Sequence, residues 1–161
     1  MREGNRKILS IQFEITKEIS APPEFVFDWW TDLRPDDSEL VKPLKKRTII
    51  SRTQDTIHLQ DEEEMYFKRM TFDVTVALEP PLRWVSEYSG KSATARSEYL
   101  LTGMSNGTTT LSYKTKIEPN GFLTRTFSPL VTPFIKRVFE SEMKIFIQTL
   151  EREFATSNVR N

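Results

Sequence analysis

Residues 135–154 read IKRVFESEMKIFIQTLEREF, and the spacing of their large apolar residues indicates one long amphipathic helix. Seven such residues fall on a single stripe of that helix: Ile135, Phe139, Met143, Phe146, Ile147, Leu150 and Phe154. A stripe about 100° wide is enough to pack against a sheet. The sequence therefore predicts that its C-terminal part is a helix with one face buried on another layer.

The first half of this helix is apolar over a wider arc. Five further apolar residues broaden the stripe, namely Leu130, Val131, Phe134, Val138 and Ile145. We therefore predict that the helix is enclosed from several sides near residues 130–138, and that any cavity is deepest there. Ser128-Pro129 and Thr132-Pro133 offer two possible starts, because proline is tolerated in a first helical turn.

Upstream of the helix, the period of the pattern changes from that of helix to that of strand. Six alternating segments are separated by turn residues: 45–53, 56–61, 65–78, 82–89, 93–104 and 108–117. Asn106-Gly107 predicts a type I′ hairpin turn, in which both central residues need positive φ. Antiparallel strands joined by such short turns form a meander.

The N-terminal part supplies a seventh strand and one or two short helices. Residues 8–19 alternate in polarity, and Pro22-Pro23-Glu24 is typical of a first helical turn. A second short helix could run through Leu40 and Val41. We therefore predict one α+β domain over residues 1–161 with a helix-grip architecture, in which a curved seven-stranded antiparallel sheet wraps around the C-terminal helix.

Composition limits the classes of function. The 23 basic and 23 acidic residues cancel, which argues against nucleic acid as a partner. The absence of cysteine excludes disulfides, thiolate nucleophiles and Cys-ligated zinc. Residues 1–7 lead into no apolar segment of signal-peptide length, and no apolar run approaches the ~20 residues of a membrane span. We expect a cytoplasmic protein without stable membrane insertion.

Three stretches resemble the START/Bet v 1-like (SRPBCC) superfamily, and most of all its polyketide cyclase/dehydrase and lipid-transport branch. Residues 19–27 read ISAPPEFVF and are followed by Trp29, Trp30 and Asp32, similar to the opening of that family. Residues 106–113 resemble its penultimate hairpin, and residues 121–150 its closing helix. With the order of elements, the resemblance covers nearly the whole chain.

This resemblance implies a cavity between sheet and helix that holds a lipid, polyketide, quinone or similar molecule. Most relatives bind or carry ligands, and a minority catalyse. Inward-facing aromatic, hydroxyl and apolar residues would line the cavity, and we predict these as ligand-binding: Tyr66, Phe72, Trp84, Ser86, Tyr88, Tyr99, Leu111, Tyr113, Phe134 and Val138. The resemblance implies no cofactor.

No residue set identifies a catalytic or metal site. His58 is the only histidine, and its alternation with Ile57 and Leu59 places it on the opposite, solvated face. Arg69, Arg96 and Glu98 lie within strands, where an inward charge is costly unless it is paired. The acidic run 61–64 would not converge on a cation, because successive strand residues point to opposite sides. We expect it to be a solvated hairpin tip.

Three functions remain. The first is a carrier or binding protein for a hydrophobic small molecule. The second is a cyclase, aromatase or dehydratase, which needs at least two of five residues to converge inside the cavity: Tyr66, Arg96, Glu98, Tyr99 and Tyr113. The third is an interaction module with an unknown protein partner, which would dock through the basic run 42–47 and the acidic run 61–64.

Overall fold

The computed structural model describes residues 10–65 and 68–159. Its strands are β1 (Ile11–Ile19), β2 (Leu44–Arg52), β3 (Thr56–Met65), β4 (Lys68–Glu79), β5 (Arg83–Gly90), β6 (Ala93–Gly103) and β7 (Thr109–Pro119). Its helices are α1 (Pro23–Thr31), a short 3-10 helix (Pro35–Glu39) and α2 (Phe122–Val159). The predicted order of strand, short helices, six strands and long helix is confirmed.

The seven strands form a single antiparallel sheet. Its spatial order is β1-β7-β6-β5-β4-β3-β2, so that β2 to β7 are a meander and the first strand closes the far edge beside β7. Both α1 and α2 contact the sheet, and α2 packs mainly against β1 and β7. This arrangement confirms the α+β helix-grip architecture.

Alternation along the strands decides which side chains face α2. Along β1, Ile11, Ile15 and Ile19 are buried while the residues next to them are exposed or half-buried. The same period places Ile57 and Leu59 of β3 in the core. From α2, the core receives Met143, Ile147 and Leu150, with other members of the predicted stripe packed at its edge. We call this side of the sheet the inner face.

α1 begins where the sequence predicts and ends at Thr31. Pro23 is its first residue, and Glu24 lies in the first turn. At its C-terminal end, the guanidinium of Arg52 donates to the carbonyl oxygens of Thr31 and Asp32 at 3.1 and 2.5 Å. These bonds satisfy carbonyls that the helix leaves unpaired, and they tie the end of α1 to the β2 edge of the sheet.

The start and the surroundings of α2 differ from the prediction. The helix begins at Phe122, so both Pro129 and Pro133 lie inside it. The helix is not enclosed near residues 130–134, because Leu130 is 76% and Phe134 54% exposed. The expected deep enclosure near residues 130–138 is therefore wrong. A 38-residue helix is about 57 Å long, whereas strands of 8 to 12 residues span roughly 26–40 Å, so α2 is longer than any strand that it crosses.

Two further predictions, the end of β3 and the type of the turn after β6, are wrong. β3 extends through the acidic run to Met65, so Asp61–Glu64 is strand and not a hairpin tip. The turn at Asn106-Gly107 is not type I′, because only Gly107 has positive φ, at 82°. The amide of Gly107 donates to Met104 O at 3.0 Å, and the amide of Met104 donates to Thr108 O at 2.8 Å. This pattern fits a three-residue loop, in which a type I turn is followed by one left-handed glycine.

No helix within the described residues is both long enough and apolar enough to cross a bilayer.

Candidate functional site

Aromatic side chains from β5, β6 and β7 form one continuous surface on the inner face. Trp84 stacks on Tyr99 with ring centroids 4.6 Å apart, and Tyr99 meets Tyr113 at 4.8 Å. Backbone register explains the contact, because Tyr99 pairs with Trp84 on one side and with Tyr113 on the other. Phe139 of α2 stacks on Tyr113 at 6.0 Å. We call Trp84, Tyr99, Tyr113 and Phe139 the aromatic wall.

A row of hydroxyl groups borders the aromatic wall. Ser97 Oγ lies 3.2 Å from the Tyr113 hydroxyl and 2.9 Å from Thr115 Oγ1, and all three residues are buried. Burial raises the pKa of Tyr113 to about 12, although its hydrogen bonds oppose that rise. Tyr113 is therefore a neutral hydrogen-bonding group at every physiological pH.

A buried ion-pair network lies toward the β2 edge of the inner face. The Arg47 guanidinium donates to both carboxylate oxygens of Asp61 at 2.9 and 2.8 Å, and to Asp37 of the 3-10 helix at 2.8 Å. The side chains of Arg47 and Asp61 are only 12% and 2% exposed. Burial by itself would lower the pKa of Arg47, but the bonds to Asp61 outweigh it and keep the guanidinium charged.

Two glutamates face the same interior from opposite sides. Glu63 follows Asp61 by two residues on the inner face of β3, and Glu142 projects from α2. Burial is the main cause that raises the pKa of Glu63 to about 7, with Asp61 and Glu142 adding to it. Burial also raises the pKa of Glu142 to about 7. We call Arg47, Asp61, Glu63, Tyr88 and Glu142 the interior polar cluster.

Tyr88 and Tyr99 follow Trp84 and Ser97 by alternation on the inner face. Burial raises the pKa of both hydroxyls well above the ordinary value. Both side chains nevertheless keep accessible surface and are only half-buried, as are Glu63 and Glu142. Neither hydroxyl has a hydrogen-bond partner among the described residues.

The two glutamates give a prediction about pH and stability. A raised carboxyl pKa means that the native state holds its proton more tightly than the unfolded chain. The free energy of unfolding should therefore be highest below the ordinary pKa of 4.5 and fall as the pH rises through about 7. We expect a loss of about 1–2 kcal/mol per group, after allowance for their partial exposure.

Urea denaturation between about pH 5 and pH 8 checks this prediction, with Glu63→Gln and Glu142→Gln as test variants. Each variant should flatten the decline, because the amide stays neutral throughout. Glu62→Gln is the matched control, since Glu62 lies on the opposite face and pairs with Lys46 at 3.9 Å. If the double variant Glu63→Gln, Glu142→Gln lost as much unfolding free energy between about pH 5 and pH 8 as the unsubstituted protein, the pH dependence would not come from these two glutamates.

The predicted ligand-binding residues fall into three groups. Phe72, Trp84, Ser86, Leu111 and Tyr113 are buried on the inner face, and Tyr88 and Tyr99 are half-buried there. Val138 is half-buried on α2, whereas Phe134 is 54% exposed there. Tyr66 lies outside the described residues. The structure thus brings the strand residues together on the inner face.

The charged residues considered for catalysis lie on the outer face. Arg96 pairs with both Glu87 and Glu98, and Arg69 is exposed. His58 is also exposed, with Nδ1 3.2 Å from Thr75 Oγ1. The enzyme hypothesis needs at least two of its five residues to converge. Tyr99 and Tyr113 meet on the inner face, while Arg96 and Glu98 point outward.

Sequence reasoning missed the interior polar cluster. It interpreted Arg47 as part of a basic run for docking and Asp61–Glu64 as a solvated tip. The two runs instead pair with each other, through Lys45–Glu64 at 3.9 Å, Lys46–Glu62 at 3.9 Å and Arg47–Asp61. The signal was available in the alternation Ile57, Leu59, Asp61, Glu63, which continues the inner face into the acidic run. In the described part of the chain, no three His, Asp or Glu side chains are grouped as metal ligands.

The outer face carries a separate concavity. It is an open depression of about 440 Å³ whose lining includes Asp73, Glu87, Arg96 and Lys116. The arginine and lysine there are already paired with glutamates. Most residues that line this depression are polar or charged, whereas the inner face carries the aromatic wall, so we place the candidate site on the inner face.

No family model matches the chain, and no curated protein is significantly similar to it in sequence. Solved structures do share its fold. The Zhui aromatase/cyclase from Streptomyces sp. R1128 superposes with a TM-score of 0.76 at 13% identity, covering 90% of this chain and 96% of that one. A START superfamily protein from Mycobacterium smegmatis gives a TM-score of 0.64 at 15% identity, covering 88% and 95%.

The di-domain ARO/CYC StfQ from the steffimycin biosynthetic pathway gives a TM-score of 0.75 at 11% identity, with 97% of this chain covering 54% of that one. At such identities the likeness establishes the fold alone, which is the helix-grip fold of START/Bet v 1-like proteins and polyketide aromatase/cyclases.

Proposed function

We propose that this helix-grip protein binds a hydrophobic small molecule, such as a lipid, polyketide or quinone, between the inner face and α2. The apolar body of the ligand would lie on the aromatic wall and its polar end at the interior polar cluster. The observation that carries the proposal is that four polar side chains on the side of the sheet that faces α2 are only half-buried, namely Glu63, Tyr88, Tyr99 and Glu142. A core filled by side chains would leave no such surface.

The physical chemistry of this site suits the binding of a hydrophobic ligand. Burial of ligand surface contributes roughly 25 cal/mol per Å². A few placed polar groups then fix the orientation of the ligand, and the hydroxyls of Tyr88 and Tyr99 are available for that purpose. The Tyr113 hydroxyl is already bonded to Ser97, so it serves as a rigid part of the wall.

Native mass spectrometry and tryptophan-fluorescence titration test this proposal with naphthylethanol, a neutral aromatic hydrophobe. We expect a one-to-one complex, raised thermal stability and a change in emission, because Trp84 lies in the wall. Tyr99→Leu should weaken binding about tenfold, while Leu100→Ser is the matched control because Leu100 is exposed on the outer face. The proposal fails if neither this probe nor a panel of lipids and quinones binds or shifts the thermal transition.

A second candidate is an enzyme of the cyclase, aromatase or dehydratase type. It is favoured by two carboxyl groups with pKa values near 7, where a group can both donate and accept a proton. A model polyketone thioester tests this candidate. Cyclisation should depend on a group that titrates near pH 7 and should slow at least about tenfold in Glu63→Gln or Glu142→Gln. Equal rates with and without the protein would exclude it for this substrate.

A further inference from the structure

We propose that α2 docks on an anionic lipid surface through the side that faces away from the sheet. This inference goes beyond the proposed function and does not depend on it, because it concerns the outside of the helix and not the inner face. The docking residues recur along α2 at spacings of four and three, and we call them the outward surface of α2: Leu130, Phe134, Arg137, Ser141, Lys144 and Ile145.

Helical geometry puts these residues on one side of α2. Spacings that alternate between four and three keep side chains on a single face of a helix. The opposite side packs on the sheet, where Met143, Ile147 and Leu150 belong to the core. Every residue of the outward surface is exposed, Leu130 to 76% and Phe134 to 54%. At 1.5 Å per residue, the surface extends for roughly 22 Å along the helix.

Exposed apolar side chains are concentrated on this part of α2. Among the described residues, eight large apolar side chains are exposed, and four of them lie between positions 130 and 145: Leu130, Val131, Phe134 and Ile145. α1 packs farther along α2, through Trp29–Phe146 at 6.2 Å and Phe25–Phe154 at 4.9 Å. The wide apolar arc of the sequence is therefore not used for packing on the sheet, and a local concentration of this kind is typical of a docking surface.

The cations of the outward surface indicate the charge of the partner. Arg137 and Lys144 are exposed, and neither forms a salt bridge with any residue that the structure describes. The nearby Glu140 and Glu142 lie off this surface and are half-buried. The basic run 42–47 differs, because its cations pair with the acidic run of β3. Two uncompensated cations among exposed apolar residues favour an anionic partner.

An anionic bilayer fits this combination better than a second copy of the chain. At a bilayer surface, apolar side chains enter the boundary of the acyl chains, while Arg and Lys reach the anionic groups of the lipids. A symmetric dimer through the same surface would bring Arg137 and Lys144 of both copies together, and the surface has no carboxylate to compensate them. The contact is peripheral, because the other side of α2 stays packed on the sheet.

Flotation of the protein with lipid vesicles tests the inference. Vesicles of phosphatidylcholine with about 30% phosphatidylserine should bind at least about tenfold more tightly than phosphatidylcholine alone, and about 0.5 M salt should remove most of this binding. The double variant Leu130→Ser, Phe134→Ser should weaken binding at least about tenfold, because it removes the inserted apolar groups. The double variant Arg137→Gln, Lys144→Gln should have an effect of similar size, because it removes both cations.

Two matched controls lie on β2. Ile50→Ser changes a side chain that is 63% exposed, and Lys46→Gln changes an exposed cation. Each control should leave vesicle binding within about twofold of the unsubstituted protein. All the substituted side chains are exposed, so the thermal transition should stay nearly unchanged and a loss of binding would report on the surface itself.

A fluorescent probe locates the contact. Because the chain has no cysteine, one introduced thiol gives a single labelling site. An environment-sensitive fluorophore on Leu130→Cys or on Ile145→Cys should brighten and shift to the blue with anionic vesicles. The same fluorophore on Ile50→Cys should not respond.

The outcomes distinguish the possible partners. The inference is wrong if neither kind of vesicle binds the protein, or if both double variants bind as tightly as the unsubstituted protein. It is also wrong if sedimentation shows a dimer that Leu130→Ser, Phe134→Ser dissociates, because a second copy then covers the surface. Polyglutamate that binds this surface more tightly than the vesicles would identify an acidic protein as the partner instead. None of these results bears on the proposed function, which the naphthylethanol titration tests separately.

Discussion

Arg47→Met is expected to cost about 3–5 kcal/mol of unfolding free energy, because it leaves Asp61 and Asp37 buried without their shared cation. Asp61 is 2% exposed and accepts two of the Arg47 bonds, so it cannot recover hydration without local opening. Because methionine is similar in length to arginine, the loss of unfolding free energy reflects the missing charge more than any change in packing. Urea or guanidinium denaturation measures it.

Two further variants make this prediction specific. The double variant Arg47→Met, Asp61→Leu should be more stable than the single variant, because it removes the stranded carboxylate together with its partner. Lys46→Met is the matched control, since Lys46 is exposed and its pair with Glu62 is loose, so the change should stay within about 0.5 kcal/mol. A cost below about 1 kcal/mol for Arg47→Met would contradict a buried network.

Trp84→Ala is expected to destabilise the protein by about 3–5 kcal/mol. The indole is 2% exposed and is held on several sides, by Tyr99 at 4.6 Å, Phe27 at 5.8 Å and Trp30 at 6.1 Å. Its removal leaves a large void and separates the aromatic wall from α1. Trp84→Phe should cost clearly less, because it retains most of the ring contact.

The same denaturation experiment with Leu82→Ala provides the control for Trp84. Leu82 is 42% exposed just before β5, so we expect a change of no more than about 1 kcal/mol there. If Trp84→Ala and Leu82→Ala had equal effects, Trp84 would not be the packing centre of the wall.

The architecture was predictable from the sequence because it rests on periodicity. Alternation along β1 and the stripe from Phe139 to Phe154 specify which faces are buried, and turn residues divide the strands. Turn geometry and helix boundaries were less predictable, because they depend on single dihedral angles. Gly107 adopts positive φ while Asn106 does not, and α2 begins at Phe122, upstream of both possible starts at Ser128-Pro129 and Thr132-Pro133.

The candidate site was predictable only in its apolar half. The strand positions of Trp84, Tyr99 and Tyr113 follow from alternation, whereas Asp61 and Glu63 were assigned to a solvated hairpin tip, so their inward direction was missed. The compensating partner, Arg47, lies on another strand and becomes adjacent to Asp61 through the β2–β3 register. Pairing of this kind is a tertiary property, and a charge pattern in one strand does not reveal it.

The central claim is that a ligand occupies the space between the aromatic wall and the interior polar cluster. Intermolecular nuclear Overhauser effects between bound naphthylethanol and isotope-labelled protein test it most directly. We predict contacts from the naphthyl protons to the rings of Tyr88, Tyr99 and Tyr113. Contacts confined to the outer face near Asp73 and Lys116, or to the exposed part of α2 around Leu130, would contradict the claim.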